Sequence, residues 1–292
     1  MTSYVLPLAV IFLSSFPSSA STAESLYLDM TYSFNQDSMI WPTSEEGFKM
    51  NIIIRNDTGA FYIESNSISL PEHCGTHMDT PAHFAKGNWR AHEVPLDNLI
   101  GPAIKVNMKS KADSDRDALL EVADLQAWEN AHGRIQDDVI LMVYTGWGSR
   151  YPDKLTYLGT DTSNTSLLHF PGIAPEAATW LVENRKIKAV GIDTASLDYG
   201  QSPDYRAHQI LYERNIPGFE NVANLDKLPA TGATVFAIPM KIEDGSGGPL
   251  RIFATGWNSD VTDPCSFSAG CVNSPFAAPF LMMLFLAVLT TF

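Results

Sequence analysis

Pro71-Glu72-His73-Cys74-Gly75-Thr76-His77-Met78-Asp79-Thr80-Pro81-Ala82-His83-Phe84 carries three of the chain's seven histidines, with an aspartate among them. Imidazole beside carboxylate is a donor set that zinc and manganese accept. His73 and His77 have the spacing of two ligands on one helix face, but Gly75 and Pro81 argue against a helix here. The segment reads instead as a strand running into a turn. Alternation then places His73, Gly75, His77, Asp79 and Pro81 on one face. Three ligands converge, and the missing side chain at Gly75 leaves space between them. His83, beyond the proline, sits close by without having to ligate. Cys74 alternates away, as a small packed thiol or as half of a disulfide. A single histidine is ordinarily a surface or core residue; four potential ligands at this density argue for a metal site.

Outward from this segment, strand-like runs occur at residues 26–34, 50–55, 61–70, 139–145, 189–193, 234–240 and 251–254. Residues 140–144 are apolar throughout, as expected of a strand covered on both faces. Helical segments are fewer. Residues 124–132 space Leu125, Trp128 and Ala131 three apart and stop at Gly133. Residues 175–185 open with Pro and Glu and close on Arg, which suits the helix dipole. Residues 206–214 form a third candidate. Strands outnumber helices in an irregular order, which predicts an α+β domain rather than a doubly wound sheet or a (β/α)8 barrel.

Composition narrows the function. The chain has 292 residues, 33 acidic and 19 basic, for a formal net charge of −14. That balance excludes nucleic acid as a partner, because phosphates demand Lys and Arg. The 45% apolar content fills a real core and excludes a disordered chain. The acidic excess reads as a solvated surface. Three cysteines are too few for a disulfide-framed mini-protein. No Gly-x-Ser-x-Gly occurs, so a serine hydrolase lacks its nucleophile elbow; Gly245-Ser246-Gly247-Gly248 reads as a turn.

Both ends read as addresses. Residues 4–13 form an uncharged apolar run followed by Ser18-Ser19-Ala20 and Ser21-Thr22-Ala23, the pattern of a secretory signal over residues 1–23. The run is too short for a membrane span. Residues 280–292 are apolar, behind the small-residue stretch Ser266-Phe267-Ser268-Ala269-Gly270. Residues 265–292 thus resemble a GPI-attachment signal, with membrane contact through the GPI lipid. A tail anchor or final core helix is the alternative, and a core helix would show a polar face. Between the ends, residues 24–264 form a single domain. Secretion opens disulfide options among Cys74, Cys265 and Cys271. It also makes Asn56-Asp57-Thr58 and Asn164-Thr165-Ser166 candidate glycosylation sites at Asn56 and Asn164.

The central segment, His-x-Gly-Thr-His-x-Asp-x-Pro-x-His, resembles the signature of the cyclase-like metal hydrolases, which include bacterial-type kynurenine formamidases and isatin hydrolases. Further matches are Trp41-Pro42, the strand Val143-Tyr144-Thr145-Gly146-Trp147, and Gly191-Ile192-Asp193-Thr194-Ala195-Ser196-Leu197-Asp198. His208, twelve residues before Glu220-Asn221-Val222, is another. The resemblance implies a swivelling β/β/α cyclase-like fold. It implies that His73, His77 and Asp79 hold a first metal, and that Asp79 and Glu220 bridge to a second completed by His208. It further implies that His83 gives and takes the proton and that Trp41 lines the substrate pocket. The formamidases use zinc and the isatin hydrolases manganese, so Zn2+ or Mn2+, one or two per chain, is expected. Family members are commonly homo-oligomers. The insert-like stretch 154–166 departs from bacterial relatives and bears on the substrate if it lies near the pocket.

The expected activity is metal-dependent hydrolysis of an aryl formamide or a small cyclic amide. The alternative is a non-catalytic cell-surface binding protein that keeps the fold and a structural metal. His92 and His132 read as surface or helix-end residues, and His169 as a residue outside the pocket, with an approach to it as the lesser alternative. Trp89, Trp128, Trp180 and Trp257 read as core or interface residues.

Overall fold

A computed structural model describes residues 27–257. The signal stretch 1–23, the attachment stretch 265–292, and Cys265 and Cys271 lie outside the described residues. The strands are β1 (Tyr27–Asp29), β2 (Lys49–Asp57), β3 (Tyr62–Ser69), β4 (His77–Asp79), β5 (Ile100–Asn107) and β6 (Leu119–Leu120). They continue with β7 (Ile140–Tyr144), β8 (Gly172–Ile173), β9 (Ala189–Ile192), β10 (Gly218–Glu220), β11 (Ala233–Pro239) and β12 (Gly247–Thr255). The α-helices are α1 (Leu96–Leu99), α2 (Lys109–Ser114), α3 (Val122–His132), α4 (Lys154–Leu158), α5 (Pro175–Asn184) and α6 (Arg206–Tyr212).

Eight strands form one sheet in the order β1-β12-β11-β5-β7-β9-β10-β4. β12 is long enough to carry β1 at one end and β4 at the other, so β4 pairs with both β10 and β12 and the sheet closes into a barrel-like ring. β5, β7, β9 and β10 run parallel. The joins through β11, β12 and β4 are antiparallel. This is the expected α+β class with the expected irregular order.

Alternation along the strands divides the core in two. Ile140 and Met142 of β7 point into the ring with Met78, Phe219, Val235 and Ile252. Leu141 and Val143 point outward, beside Ile104, Val106, Val190 and Ile192. On that outer face they meet Leu125 and Trp128 of α3, Ala177, Ala178 and Leu181 of α5, and Leu211 of α6. Burial on both faces is why β7 has no polar position until Tyr144. Each buried Leu or Ile contributes roughly 1.5–3 kcal/mol through area removed from water. α3 starts with a capping box, in which Glu121 and Asp124 bond each other's backbone amides, and ends at Gly133.

Two expectations are revised. β5 was not anticipated, because Pro102 and Lys105 interrupt its apolar pattern; Pro102 pairs with β11 but precedes the β5–β7 ladder, which starts at Ala103. The run at 26–34 is a strand only over Tyr27–Asp29, where pairing with β12 ends and Thr31 N turns back to Asp29 Oδ1 at 3.2 Å. β2 and β3 form a separate antiparallel hairpin with a bulge at Ile53, and every residue in both strands is exposed.

Candidate active site

Met78 of β4 and Phe219 of β10 fill the ring, so His77, Asp79 and Glu220 project from its opposite face. Register sets their neighbours. Glu220 stands across from His77, while Asp79 stands between Gly218 on β10 and Gly247 on β12. Both glycines are needed. A Cβ at Gly218 would lie 2.5 Å from the Tyr212 hydroxyl, and one at Gly247 would lie 2.6 Å from His73 Cε1. The bare positions let those two side chains reach Asp79: Tyr212 donates to Oδ2 at 3.0 Å, and His73 Nδ1 lies 2.6 Å from Oδ1.

Hydrogen bonding fixes how the imidazoles face. His77 Nδ1 donates to the Gly75 carbonyl at 2.9 Å. Its Nε2 is therefore the nitrogen turned to the site; it is buried without a hydrogen-bond partner. That nitrogen lies 3.1 Å from Asp79 Oδ1 and 3.4 Å from Glu220 Oε2. His208 Nδ1 lies 2.5 Å from Asp198 Oδ2, a carboxylate also anchored by the amides of Ala207 and His208. His208 Nε2 then faces Glu220 Oε1 at 3.0 Å and Asp79 Oδ2 at 3.4 Å. An imidazole whose outer N–H is engaged by a carbonyl or carboxylate is the arrangement of a metal-ligating histidine.

Charge tells the same story. Burial works against a charged His77 ring, yet the Asp79 and Glu220 carboxylates push it up to about 10. Burial likewise opposes ionised Asp79, but the imidazoles of His73, His83 and His208 hold that carboxyl well below its usual range. Glu220 is also lowered: burial and Asp79 oppose ionisation, and bonds from His208 and His77 outweigh them. Two buried carboxylates thus stay ionised side by side against positive charge, which protons on His77 and His208 supply in the metal-free site and a divalent cation would replace. A divalent cation fits. Two donor groups share Asp79, one with His77 and Glu220 and one with His73 and His83, and within each group the ligand atoms lie within 4.8 Å of one another.

The site opens into a cavity of about 340 Å³. Trp41, Phe84 and Tyr205 form its aromatic wall, with Met39 and Ile40 beside them. Trp41 and Tyr205 meet edge-on at 6.2 Å, and Phe84 lies 5.4 Å from Tyr205. His83 enters from the single 3-10 turn Pro81–His83. It stacks on His73 at 4.1 Å, with Nε2 3.9 Å from Asp79 Oδ2. Burial holds the His83 imidazole below its ordinary value despite the Asp79 carboxylate.

His73, His77, Asp79, His83, His208, Glu220 and Trp41 therefore all line one cavity. The route differs from the sequence expectation. Only His77 and Asp79 share a strand face; His73 precedes β4 and returns to Asp79 through the turn at Gly75, whose φ of +57° suits glycine. The space left by Gly75 faces Phe34, not the ligands, since a Cβ there would lie 2.9 Å from that ring. Cys74 is a fully buried thiol with no disulfide partner among the described residues, pushed by burial up to about 11. His169 pairs with Asp117 at 2.7 Å and does not line the cavity. Asn56 and Asn164 are exposed, away from it.

The stretch 154–166 does not line the cavity either; it supports it from below. Tyr157 of α4 is fully buried, and its single hydroxyl hydrogen is shared between Asn221 Oδ1 at 2.8 Å and Asp193 O at 3.0 Å. Asn221 Nδ2 in turn donates to Gly75 O, the same carbonyl that orients His77. Trp147 Nε1 donates to Tyr157 O at 2.6 Å, and Asp193 accepts both the amide and the hydroxyl of Thr145. The Thr-Gly-Trp and Gly-Ile-Asp segments are thus tied to each other and to the site. Asp198, Tyr212, Tyr205 and Phe84 were not singled out from sequence. Asp198 was visible as the end of a matched segment, ten residues before His208.

The sequence profile of the Cyclase family matches residues 28–199. Isatin hydrolase from Roseibium aggregatum is 34% identical over 206 residues, 68% of this chain and 77% of that protein. Kynurenine formamidase from Salinibacter ruber is 24% identical over 226 residues, 77% of this chain and 94% of that protein. The solved structure of isatin hydrolase A from Labrenzia aggregata, bound to benzyl benzoate, superposes with a TM-score of 0.71 at 33% identity, covering 79% of this chain and 93% of that one. The chain belongs to the cyclase-like metal-dependent hydrolase family.

Proposed function

We propose that this member of the family hydrolyses the amide bond of a small, uncharged aromatic substrate, a cyclic amide of the isatin type. One or two divalent cations, Zn2+ or Mn2+, are held by His73, His77, Asp79, His208 and Glu220. The observation that carries this reading is the buried, unpartnered Nε2 of His77 facing two carboxylates at the floor of an aromatic cavity. When bound, such a cation supplies Lewis acidity and lowers the pKa of water from near 16 to about 7.

The chain's own residues do the rest. Trp41, Phe84 and Tyr205 hold the substrate ring in an apolar slot that excludes bulk water. Water adds to the amide carbonyl carbon, and the carbon–nitrogen bond breaks. His83, kept neutral by burial, takes a proton at Nε2 and returns it to the leaving nitrogen. For a cyclic amide the ring opens to an aryl amine and a carboxylate on one molecule.

Cavity chemistry favours the cyclic amide over a formamide bearing an amino-acid tail. No Lys or Arg lines the cavity to pair a substrate carboxylate, and an unpaired charge there is costly. The test is turnover of isatin against N-formylkynurenine. A kcat/KM at least ~10-fold higher for isatin is expected, about 1.4 kcal/mol of discrimination. Chelation should abolish it, and Mn2+ or Zn2+ should restore it. Full turnover after complete chelation would refute the metal reading. The non-catalytic alternative calls for a site closed by protein ligands, whereas these donors line an open cavity.

We propose further that the chain is exported and held at the cell surface by a GPI lipid, with glycans on Asn56 and Asn164. The apolar runs and small-residue stretches at the two ends support this, as does the exposure of both asparagines. No helix among the described residues is long and apolar enough to cross a membrane. A homo-oligomer is the state we propose, supported by the hairpin that bares Met50, Ile52, Ile53, Phe61, Tyr62 and Ile68.

A further inference from the structure

The loop at Ser246 is clamped from two sides. Glu72 Oε2 accepts from Ser246 N at 2.8 Å, Ser246 Oγ at 2.8 Å and Gly247 N at 3.2 Å. Thr80 donates to the Ser246 carbonyl through its amide at 3.0 Å and its hydroxyl at 2.8 Å. The Ser246 hydroxyl so held lies 3.0 Å from His73 Nε2. Gly247, where any Cβ would strike His73 Cε1, leaves the ring room to lie there.

Hydrogen accounting then decides the orientation. A carboxylate only accepts, so the single hydroxyl hydrogen of Ser246 goes to Glu72. Its remaining capacity toward His73 is as an acceptor, which makes His73 Nε2 the nitrogen bearing the hydrogen. His73 Nδ1, 2.6 Å from Asp79 Oδ1, is then the nitrogen that would turn its lone pair to a cation held there. With a cation at Asp79, the opposite assignment would surrender both that ligand and the charge-assisted Ser246–Glu72 bond; without one, a hydrogen on Nδ1 bonds Asp79 instead.

We propose that Ser246, set by Glu72, is a positioning residue that fixes the His73 tautomer and presents its Nδ1 lone pair to the cation. It does for His73 what the Gly75 carbonyl does for His77 and Asp198 does for His208. Each of the three rings has its outer nitrogen engaged and its inner nitrogen turned toward Asp79 and Glu220. The inference rests on the metal-hydrolase reading and extends it to two residues that touch neither cation nor substrate.

The experiment is a titration of metal-free protein with Zn2+ and Mn2+, comparing the wild type with Ser246→Ala and Ser246→Thr. Ser246→Ala keeps the backbone bonds to Glu72 and Thr80 and removes the hydroxyl that accepts from His73 and donates to Glu72. It should bind each ion roughly 10–100-fold more weakly, with the thermal midpoint of the metal-free protein unchanged. Ser246→Thr, which keeps a hydroxyl, should recover most of that affinity. Unchanged affinity in Ser246→Ala, or a loss that Thr does not recover, overturns the role. Should Ser246→Ala fail to fold, the nitrogen-15 histidine spectrum of the Zn2+-loaded wild type decides. Hydrogen on His73 Nε2 supports the assignment and hydrogen on Nδ1 overturns it. A wild type that binds neither ion refutes the metal reading itself.

Discussion

Glu220 stands directly across the β4–β10 ladder from His77, with its Oε2 3.4 Å from His77 Nε2. A slip of one residue would bring Phe219 to this face and turn Glu220 into the apolar ring. The apolar alternation of two three-residue strands therefore sets the geometry of the polar site, with Met78 and Phe219 as the anchors.

His77→Ala removes the one buried imidazole nitrogen among the described residues that has no hydrogen-bond partner. Metal per chain, measured by elemental analysis after gel filtration, should fall by at least half, and turnover should fall with it. Wild-type metal content in this variant would exclude His77 as a ligand.

His83→Ala should keep the metal and lose turnover. The expected drop in kcat is ~10²–10⁴-fold, the range for a lost general acid–base group. Retention of wild-type kcat would remove His83 from the mechanism.

Gly218→Ala tests the bare position beside Asp79. The new Cβ would lie 2.5 Å from the Tyr212 hydroxyl and 2.8 Å from Leu197 Cδ1, both buried. Overpacking of this kind costs about 1–3 kcal/mol. Urea denaturation should show that loss; an unchanged midpoint would mean the strand yields without strain.

Glu129 gives a stability prediction with a defined sign. Arg185 reaches it through Nε–Oε1 at 2.7 Å and Nη2–Oε2 at 2.5 Å, with both side chains mostly buried. Arg185 holds the Glu129 carboxyl below its ordinary value of 4.5. The pair therefore contributes fully above that value, and its contribution fades as the pH falls through the lower, folded-state value. Glu129→Gln should cost roughly 1–3 kcal/mol at neutral pH, and the gap to wild type should narrow in acid. A gap that is constant with pH would contradict the assignment.

Ile53, 67% exposed at the hairpin bulge, tests self-association. Ile53→Asp should leave the thermal midpoint within about 0.5 kcal/mol equivalent and shift the species seen by light scattering toward the monomer. A wild type that is itself monomeric would exclude the oligomer.

Much of the site was legible because chemistry crowded into residues 73–83, where spacing alone brings donors together. β7, α3 and α5 were legible because burial imposes a period on their residues. β10 was not, since three residues carry no period; Glu220 was reached only through the resemblance. Glu72, Ser246 and Tyr212 were illegible for a different reason. Their partners lie far away in sequence, 174 residues from Glu72 to Ser246 and 133 from Tyr212 to Asp79, and no local pattern encodes such a meeting. Gly75 shows the opposite error: its conformational role was readable, but the direction of its empty side was not.

The ring closes only when β12 pairs with β4, and this sets an order of assembly. Asp79 emerges early in synthesis, yet its flanking strands come from residues 218–220 and 247–249. Until those residues arrive, no folded nascent chain can enclose the two carboxylates. Contacts of such long sequence separation fold slowly. Enclosure of the two carboxylates therefore waits until nearly the whole chain has been made.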